Sequence, residues 1–408
     1  MKATIVSLLA LAVSIAASRA DRLEVRTVAG TGVAGSSDGV AGVGTFDHPT
    51  WIDFDPDPGA PTLAVGRSNG PGTLFVVDRA NKLVRRIDSG TVTSLSFVVF
   101  PGSATPVTLD FGGAFGGGIA VEPVTAGCGG IRFGHGFFVA SSAQDRVLLL
   151  SPQEEVISDR DGLPIIGVLD APGDRDGSAS SAQFRTPTAI ALSWGYQGNF
   201  GSGDTDRVYV ADTGNHTIRQ FTHFPGPEGC PLPNEVTTLA GAAGQAGFAD
   251  GQGSSARFNS PRGIVAAPDG SIYVADSGNH TIRRITHDGL VTTVAGEAGV
   301  PGSNDGSARV AHLNTPSGID IDSHGDFIIA DTGNGTIRKL TADGQLQTIA
   351  GVPGVGGYAD GFAGTALFNG PVGVKVVGDT IYIADTSNNV IRSLTEVPAR
   401  PPHRAARH

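Results

Sequence analysis

The sequence predicts an all-β fold: a six-bladed β-propeller of four-stranded antiparallel blades, with its ring closed by the N-terminal strand. Three observations predict it. A hairpin string recurs six times, a fixed Asp-Gly to Pro spacing precedes five of the six, and each chain end lacks a strand that the other end supplies.

The clearest copies of the hairpin are VYVADTGNHTIRQF (208–221), IYVADSGNHTIRRI (272–285), FIIADTGNGTIRKL (327–340) and IYIADTSNNVIRSL (381–394). Two weaker copies, LFVVDRANKLVRRI (74–87) and FFVASSAQDRVLLL (137–150), precede them. Each alternates apolar residues into an Asp or Ser, turns through small or Asn-rich residues, and alternates again, the pattern of a β-hairpin. Upstream, Asp38, Asp176, Asp250, Asp305 and Asp360 are each followed by Gly and, eleven residues after the acid, by Pro49, Pro187, Pro261, Pro316 and Pro371. An Ile or Val three residues past each proline opens another short strand. After the hairpin come VTTLAG (236–241), VTTVAG (291–296) and LQTIAG (346–351). One unit is thus four strands, a to d, of ~40–55 residues, the size of a propeller blade.

The ends decide the topology. After Leu394 the chain breaks into Pro398, Pro401 and Pro402 without a strand d, whereas VRTVAG (25–30) is a strand d with no hairpin before it. The N-terminal segment is therefore expected to complete the last blade, which removes exposed sheet edges.

Segments outside the ring read differently. Lys2, the apolar run from Ala3 to Ala17, and Ser18 and Ala20 ahead of Asp21 have the order of a secretory signal peptide over residues 1–20. The single propeller then spans 21–397, and 398–408 is expected to be a disordered basic tail carrying Arg400, Arg404 and Arg407. No later stretch is apolar for long enough to span a bilayer. The expected location is secreted, extracellular or periplasmic. Without residues 1–20 the chain holds 26 basic against 39 acidic residues, a balance that argues against nucleic acid as a partner because such binding rests on neutralising phosphates.

The repeated polar residues suggest struts. Asp78, Asp212, Asp276, Asp331 and Asp385 each have an Arg seven residues on: Arg85, Arg219, Arg283, Arg338 and Arg392. Across a four-residue turn these are diagonal neighbours on one face. In the second copy both change together, to Ser141 and Leu148, as paired residues would.

The strand–ADTGNH–strand–VTTLAG pattern resembles the NHL repeat family of β-propellers over Leu23 to Leu394, strongly in blades 3 to 6 and weakly in blade 2. The resemblance implies the fold and says little of function, since members include enzymes, receptor modules and RNA-binding domains. An amidating lyase of the family holds zinc with three axial histidines. Here only His48 and His312 lie in loops leading into strand a, with Arg185 and Thr186 in the equivalent stretch of blade 3. Two imidazoles fall short of an open zinc site, and no metal or other cofactor is expected. His216 and His280 share a turn slot filled elsewhere by Lys82, Asp145, Gly335 and Asn389. Catalytic motifs of the G-x-S-x-G, H-E-x-x-H and P-loop kinds are missing.

Thr50, Gly117, Thr188, Arg262, Ser317 and Val372 are expected beside the axis, with Asp53, Asp320 and Lys375 one layer deeper in neighbouring blades 1, 5 and 6. His48, Asp53, Arg262, His312, Asp320 and Lys375 are therefore the candidates for a channel site, a charge-balanced bridge being the simpler reading of the deeper three. The Asp-Gly loops and the ADTGNH turns are expected around one channel mouth. Long insertions fall on the opposite face, over blades 1 to 3: Asp55 to Gly72, Glu122 to His135, Leu192 to Asp206 and His223 to Glu235. They contain the two cysteines, Cys128 and Cys230, expected to form a disulfide in an exported protein. They also hold Trp194, Tyr196, Phe200 and Phe224, candidates for contacting a partner. The sequence thus favours a monomeric, non-catalytic module for an extracellular protein or glycan, over a metal-dependent lyase or lactonase-type hydrolase working at the channel mouth.

Overall fold

The computed structural model of the chain describes residues 23–55, 72–95, 98–99, 109–112, 116–122, 136–150, 155–156, 165–193, 207–222 and 235–397. Residues 1–22 and 398–408 lie outside this set. Six sheets follow one another around a ring, antiparallel throughout except where Val98–Val99 pairs parallel with Glu155–Val156 in blade 2. Blade 4 shows the plan: strand a (Pro261–Ala266), b (Ile272–Asp276), c (Thr281–Ile285) and d (Leu290–Ala295) run from the axis to the rim. The equivalent a–b–c order in the other blades begins at Pro49, Ile119, Pro187, Pro316 and Pro371.

Closure occurs where the chain ends require it. The N-terminal strand Leu23–Ala29 pairs antiparallel with Val390–Glu396, in a register running from Leu23↔Glu396 to Ala29↔Ile391. It serves as strand d of blade 6. The innermost strands then meet backbone to backbone. A Cβ on Gly263 would stand 2.0 Å from the Ser317 carbonyl oxygen, and one on Gly373 would stand 2.3 Å from that of Thr50 across the seam of blades 6 and 1.

Two features differ from the four-stranded expectation. In blades 1, 4, 5 and 6 the Asp-Gly segment is itself a two-residue strand, for example Gly251–Gln252, hydrogen-bonded to the outside of strand d of its own blade. These segments therefore lie at the rim and not at the channel mouth. Blade 2 departs further: Glu155–Val156 and Ile165–Ile166 pair separately with its strand Arg146–Leu150.

The core lies between blades as much as within them. Val25, Phe368, Val374 and Ile383 pack with Ile328 and Ile337 between blades 6 and 5. Ala29, Ala384 and Ile391 meet Phe46, Ile52 and Val76 across the seam of blades 6 and 1. The alternating pattern of each strand supplies one apolar set to each neighbour, so every blade is stabilised by both flanks. No helix among the described residues is long and apolar enough to cross a membrane.

Candidate functional site

Every residue of the turn motif has an assigned partner. The hairpin turns through a short 3-10 segment, Ser277–Asn279 in blade 4, and one left-handed residue, His280 at φ 60°. This places Asp276 opposite Thr281 and Val274 opposite Arg283, the diagonal that a four-residue turn implies. Arg283 is fully buried. Its Nη1 donates to Asp276 Oδ2 (2.8 Å) and to the Arg257 carbonyl (3.0 Å). Its Nη2 donates to Asp250 Oδ1 (2.7 Å) and to the Ala249 carbonyl (2.8 Å). The strut is thus an Asp–Arg–Asp triad and not a pair, the second acid being the Asp-Gly aspartate. The same geometry recurs with Arg85, Arg219, Arg338 and Arg392.

Aromatic rings stack on these guanidiniums. Phe46, Phe184, Phe258 and Phe368, each three residues before the proline, lie 5.1–5.3 Å from the cation of their own blade. A second ring also lies over two of them, Phe248 at 4.8 Å from Arg283 and Tyr358 at 5.1 Å from Arg392. The F-x-x-P spacing was available in the sequence as the signal for this contact.

The inner acid of each triad also accepts from the main chain and from the turn Asn. Asp276 receives Asn259 N–H and Asn279 Nδ2. Burial pushes its carboxyl up to about 6, against the pull of Arg283 and these donors, and Asp212 and Asp385 are raised likewise to about 6. All three remain ionised near neutrality. The outer acids differ. Burial works against the charge of Asp250, but hydrogen bonds from Thr293 and Arg283 outweigh it and hold this carboxyl below its ordinary range.

The remaining motif residues tie each blade to the next. The Ser or Thr after the aspartate donates to the next blade's proline carbonyl: Thr213 to Pro261, Ser277 to Pro316, Thr332 to Pro371, and Thr386 to Pro49 across the seam. The left-handed slot residue accepts from the amide just ahead of the next blade's proline. His216 Nδ1 takes Ser260 N–H and His280 Nδ1 takes Thr315 N–H, both at 3.0 Å. Asp145 takes Thr186 N–H and Asn389 takes His48 N–H. Lys82 instead bridges to Asp110 of blade 2 at 2.7 Å.

At the axis, Asp53, Asp320 and Lys375 come together. Lys375 Nζ lies 2.8 Å from Asp53 Oδ1 and 3.6 Å from Asp320 Oδ2. Asp53 also accepts Val121 N–H of blade 2, and Asp320 accepts Val376 N–H of blade 6. The cluster therefore stitches blades 5, 6, 1 and 2, spanning the closing seam. Burial opposes the Lys375 charge, yet the two carboxylates prevail and raise its pKa. Its ammonium occupies the space between them where a cation would sit.

The other channel candidates separate from this cluster. Arg262 is mostly buried, which lowers its pKa to about 10. Thr188 Oγ1, of the neighbouring blade, donates to the Arg262 carbonyl. His48 Nδ1 pairs with Asp47 Oδ1 at 2.5 Å. His312 pairs with Asn304 and with Glu297, three residues further from its proline than His48 is from Pro49. The two histidines are thus not equivalent in the repeat and serve separate loops. Among the described residues no group of three or more His, Cys, Asp or Glu could hold a metal ion.

The strand ends fix where the insertions emerge. Strand a of blade 1 stops at Asp55 and b resumes at Thr73; in blade 3, a stops at Ser193, b resumes at Arg207, c stops at Thr222 and d resumes at Thr237. All these ends lie opposite the 3-10 turns. A cleft lined by Arg207, Gln220, Thr222, Glu235 and Thr237 opens at this end of blade 3. Cys128, Cys230, Trp194, Tyr196, Phe200 and Phe224 fall outside the described residues.

Comparison with known proteins agrees with this architecture. The NHL repeat family model matches residues 258–285 and 313–340, which hold the hairpins of blades 4 and 5. NHL repeat-containing protein 2 of Gallus gallus is 27% identical over 280 residues, covering 63% of this chain and 37% of that protein. The chain thus spans well under two thirds of that curated relative. Among solved structures, a protein of unknown function from Bacteroides thetaiotaomicron superposes with a TM-score of 0.60 at 20% identity, over 91% of this chain and 76% of the other. An auxiliary nutrient binding protein from Bacteroides ovatus gives 0.55 at 18% identity, over 92% and 76%. At these identities the structural likeness shows the fold alone.

Proposed function

The chain belongs to the NHL repeat family of β-propellers, and on that footing we propose that it is an exported, non-catalytic binding module. It recognises an extracellular protein or glycan through the face of blades 1 to 3. The observation that carries this reading is positional. The insertions of blades 1 to 3 leave from the a–b and c–d ends of their strands, whereas blades 4, 5 and 6 connect the same strands by short turns. Loops mounted on a rigid scaffold are where recognition concentrates. The opposite face has its motif polar groups committed to triads and blade-to-blade ties, and the axial ammonium is held by two carboxylates. The order of residues 1–20 supports export, a Cys128–Cys230 disulfide would brace the loops, and the module would act as a monomer with a free basic tail.

The test is a glycan array probed with the purified chain, followed by titration of the best binder. Trp194→Ala with Tyr196→Ala should weaken that binding by more than about 1 kcal/mol, as loss of aromatic anchors does, with the melting temperature retained. Arg262→Ala and His312→Ala should leave it unchanged. Loss of binding or turnover confined to the axial variants, together with stoichiometric zinc or calcium in the purified protein, would replace this reading with a metal-dependent lyase or lactonase-type hydrolase.

A further inference from the structure

We propose that His216 and His280 form a proton-operated latch on the two flanks of blade 4. Neutral rings hold the blade to its neighbours and protonated rings release it.

The geometry admits one protonation state. Each Nδ1 receives a backbone N–H from the next blade at 3.0 Å, so it must carry a lone pair and the ring proton must sit on Nε2. Protonation would set an N–H donor against an N–H donor. The amides concerned belong to Ser260 and Thr315, at φ 52° and 46°. These are left-handed conformations that cost energy for residues with a side chain and persist only when neighbouring contacts hold them. Losing the acceptor removes one such contact at each position. His216 fastens blade 3 to blade 4 and His280 fastens blade 4 to blade 5, so both junctions of one blade respond to the same proton concentration.

The chain contains its own control. At the closing seam Asn389 Oδ1 takes the amide of His48, itself at φ 54°, in the same role and with a group that does not titrate. At the junction of blades 2 and 3 a carboxylate, Asp145, does so.

The elements packed around the rings carry other charged groups. Beside His216 these are Asp212 and Arg219 of its own hairpin, Arg185 of the loop against its turn, Arg262 beyond Ser260, and Asp276 of the next blade, which accepts the adjoining Asn259 amide. Beside His280 they are Asp276 and Arg283, Asp331 of the next blade, which accepts the adjoining Asn314 amide, and Glu297, which follows the close-approaching Gly296 and pairs with His312. None of them is a cause of the lowered histidine pKa values, which burial alone produces. Because the folded value lies below the unfolded one, the unfolded chain binds protons first, and latch stability is lost as pH falls below about 6.5.

Hydrogen exchange resolved to single amides tests this from pH 7.5 to 5. After correction for intrinsic rates, protection of the Ser260 and Thr315 amides should fall about fivefold, the worth of one net hydrogen bond. Protection of the His48 amide should not change. In a His216→Asn, His280→Asn variant all three amides should behave alike, since Asn already performs this role at the seam. Parallel behaviour of the three amides in the wild-type protein would overturn the proposal, and so would an unchanged loss at Ser260 and Thr315 in the variant. The wild-type comparison stands without the variant.

Discussion

Replacing Arg283 by Leu in an intact ring removes four hydrogen bonds, to Asp276, Asp250 and the carbonyls of Arg257 and Ala249. It also leaves the buried Asp276 without its cation. Breaking a buried pair from one side costs about 3–5 kcal/mol, because an uncompensated charge remains. Two stranded carbonyls would add to this. The total is capped, however, because Asp276, already raised to about 6, can take up a proton instead of staying charged. We expect a loss of about 4 kcal/mol at pH 7.5. Asp276→Ser alone should cost about as much, since Asn259 N–H and Asn279 Nδ2 lose their acceptor as well. The two changes together recreate the natural state of blade 2, where Ser141 and Leu148 stand and Ser141 Oγ donates to the Asp110 carbonyl. The double variant should therefore be more stable than the sum of the singles predicts by about 2–3 kcal/mol. Urea denaturation of the four proteins, followed by intrinsic fluorescence at pH 7.5, measures this coupling. Additivity within about 0.5 kcal/mol would show that the seven-residue spacing serves only the turn and that the guanidinium is held by its carbonyls and rings.

Two further outcomes follow from the closed ring. Deleting residues 21–30 removes strand d of blade 6 and bares the outer edge of Val390–Glu396, so the product should aggregate or melt far lower in size-exclusion and calorimetric measurements; a monomer of unchanged stability would refute closure through this strand. Asp250, whose folded pKa is depressed, contributes stability that is present above about pH 3.9 and lost as pH falls through its folded value. The acid-induced drop in melting temperature below pH 4 should accordingly be smaller in Asp250→Asn than in the wild-type chain.

The fold was legible because a repeat states its strands several times over. The unpaired VRTVAG at one end and the missing strand d at the other left one closure, and the register Leu23↔Glu396 realises it. The Asp–Arg spacing was legible for the same reason, since blade 2 loses both partners at once. The second acid of the triad went unread, although the Asp-Gly aspartate is absent from the same blade. Asp250 lies 26 residues before Asp276 and reaches Arg283 only because Gly251–Gln252 folds onto the outer face of strand d. A spacing across two connections carries no period that a local reading can register. The exposed position of the Asp-Gly segments at the rim was missed on the same grounds.

The site is less legible than the fold because the recurring residues serve the ring. In A-D-S-G-N-H of blade 4, Asp276 holds the triad, Ser277 the next proline carbonyl, Asn279 the carboxylate of Asp276, and His280 the next blade's amide. Each of these four side chains thus has at least one polar group engaged within the ring. Even Asp53, Asp320 and Lys375, which break the repeat at the axis, spend their charges on one another and on neighbouring amides. On the proposed reading, recognition falls to what does not recur. Blades 1 to 3 add long connections at strand ends such as Ser193 and Thr222, opposite the turns that close the ring. The described strand ends there, Ser193 and Thr222, take part in no triad and no blade-to-blade tie, so the proposed reading separates the groups that hold the ring from those that would bind.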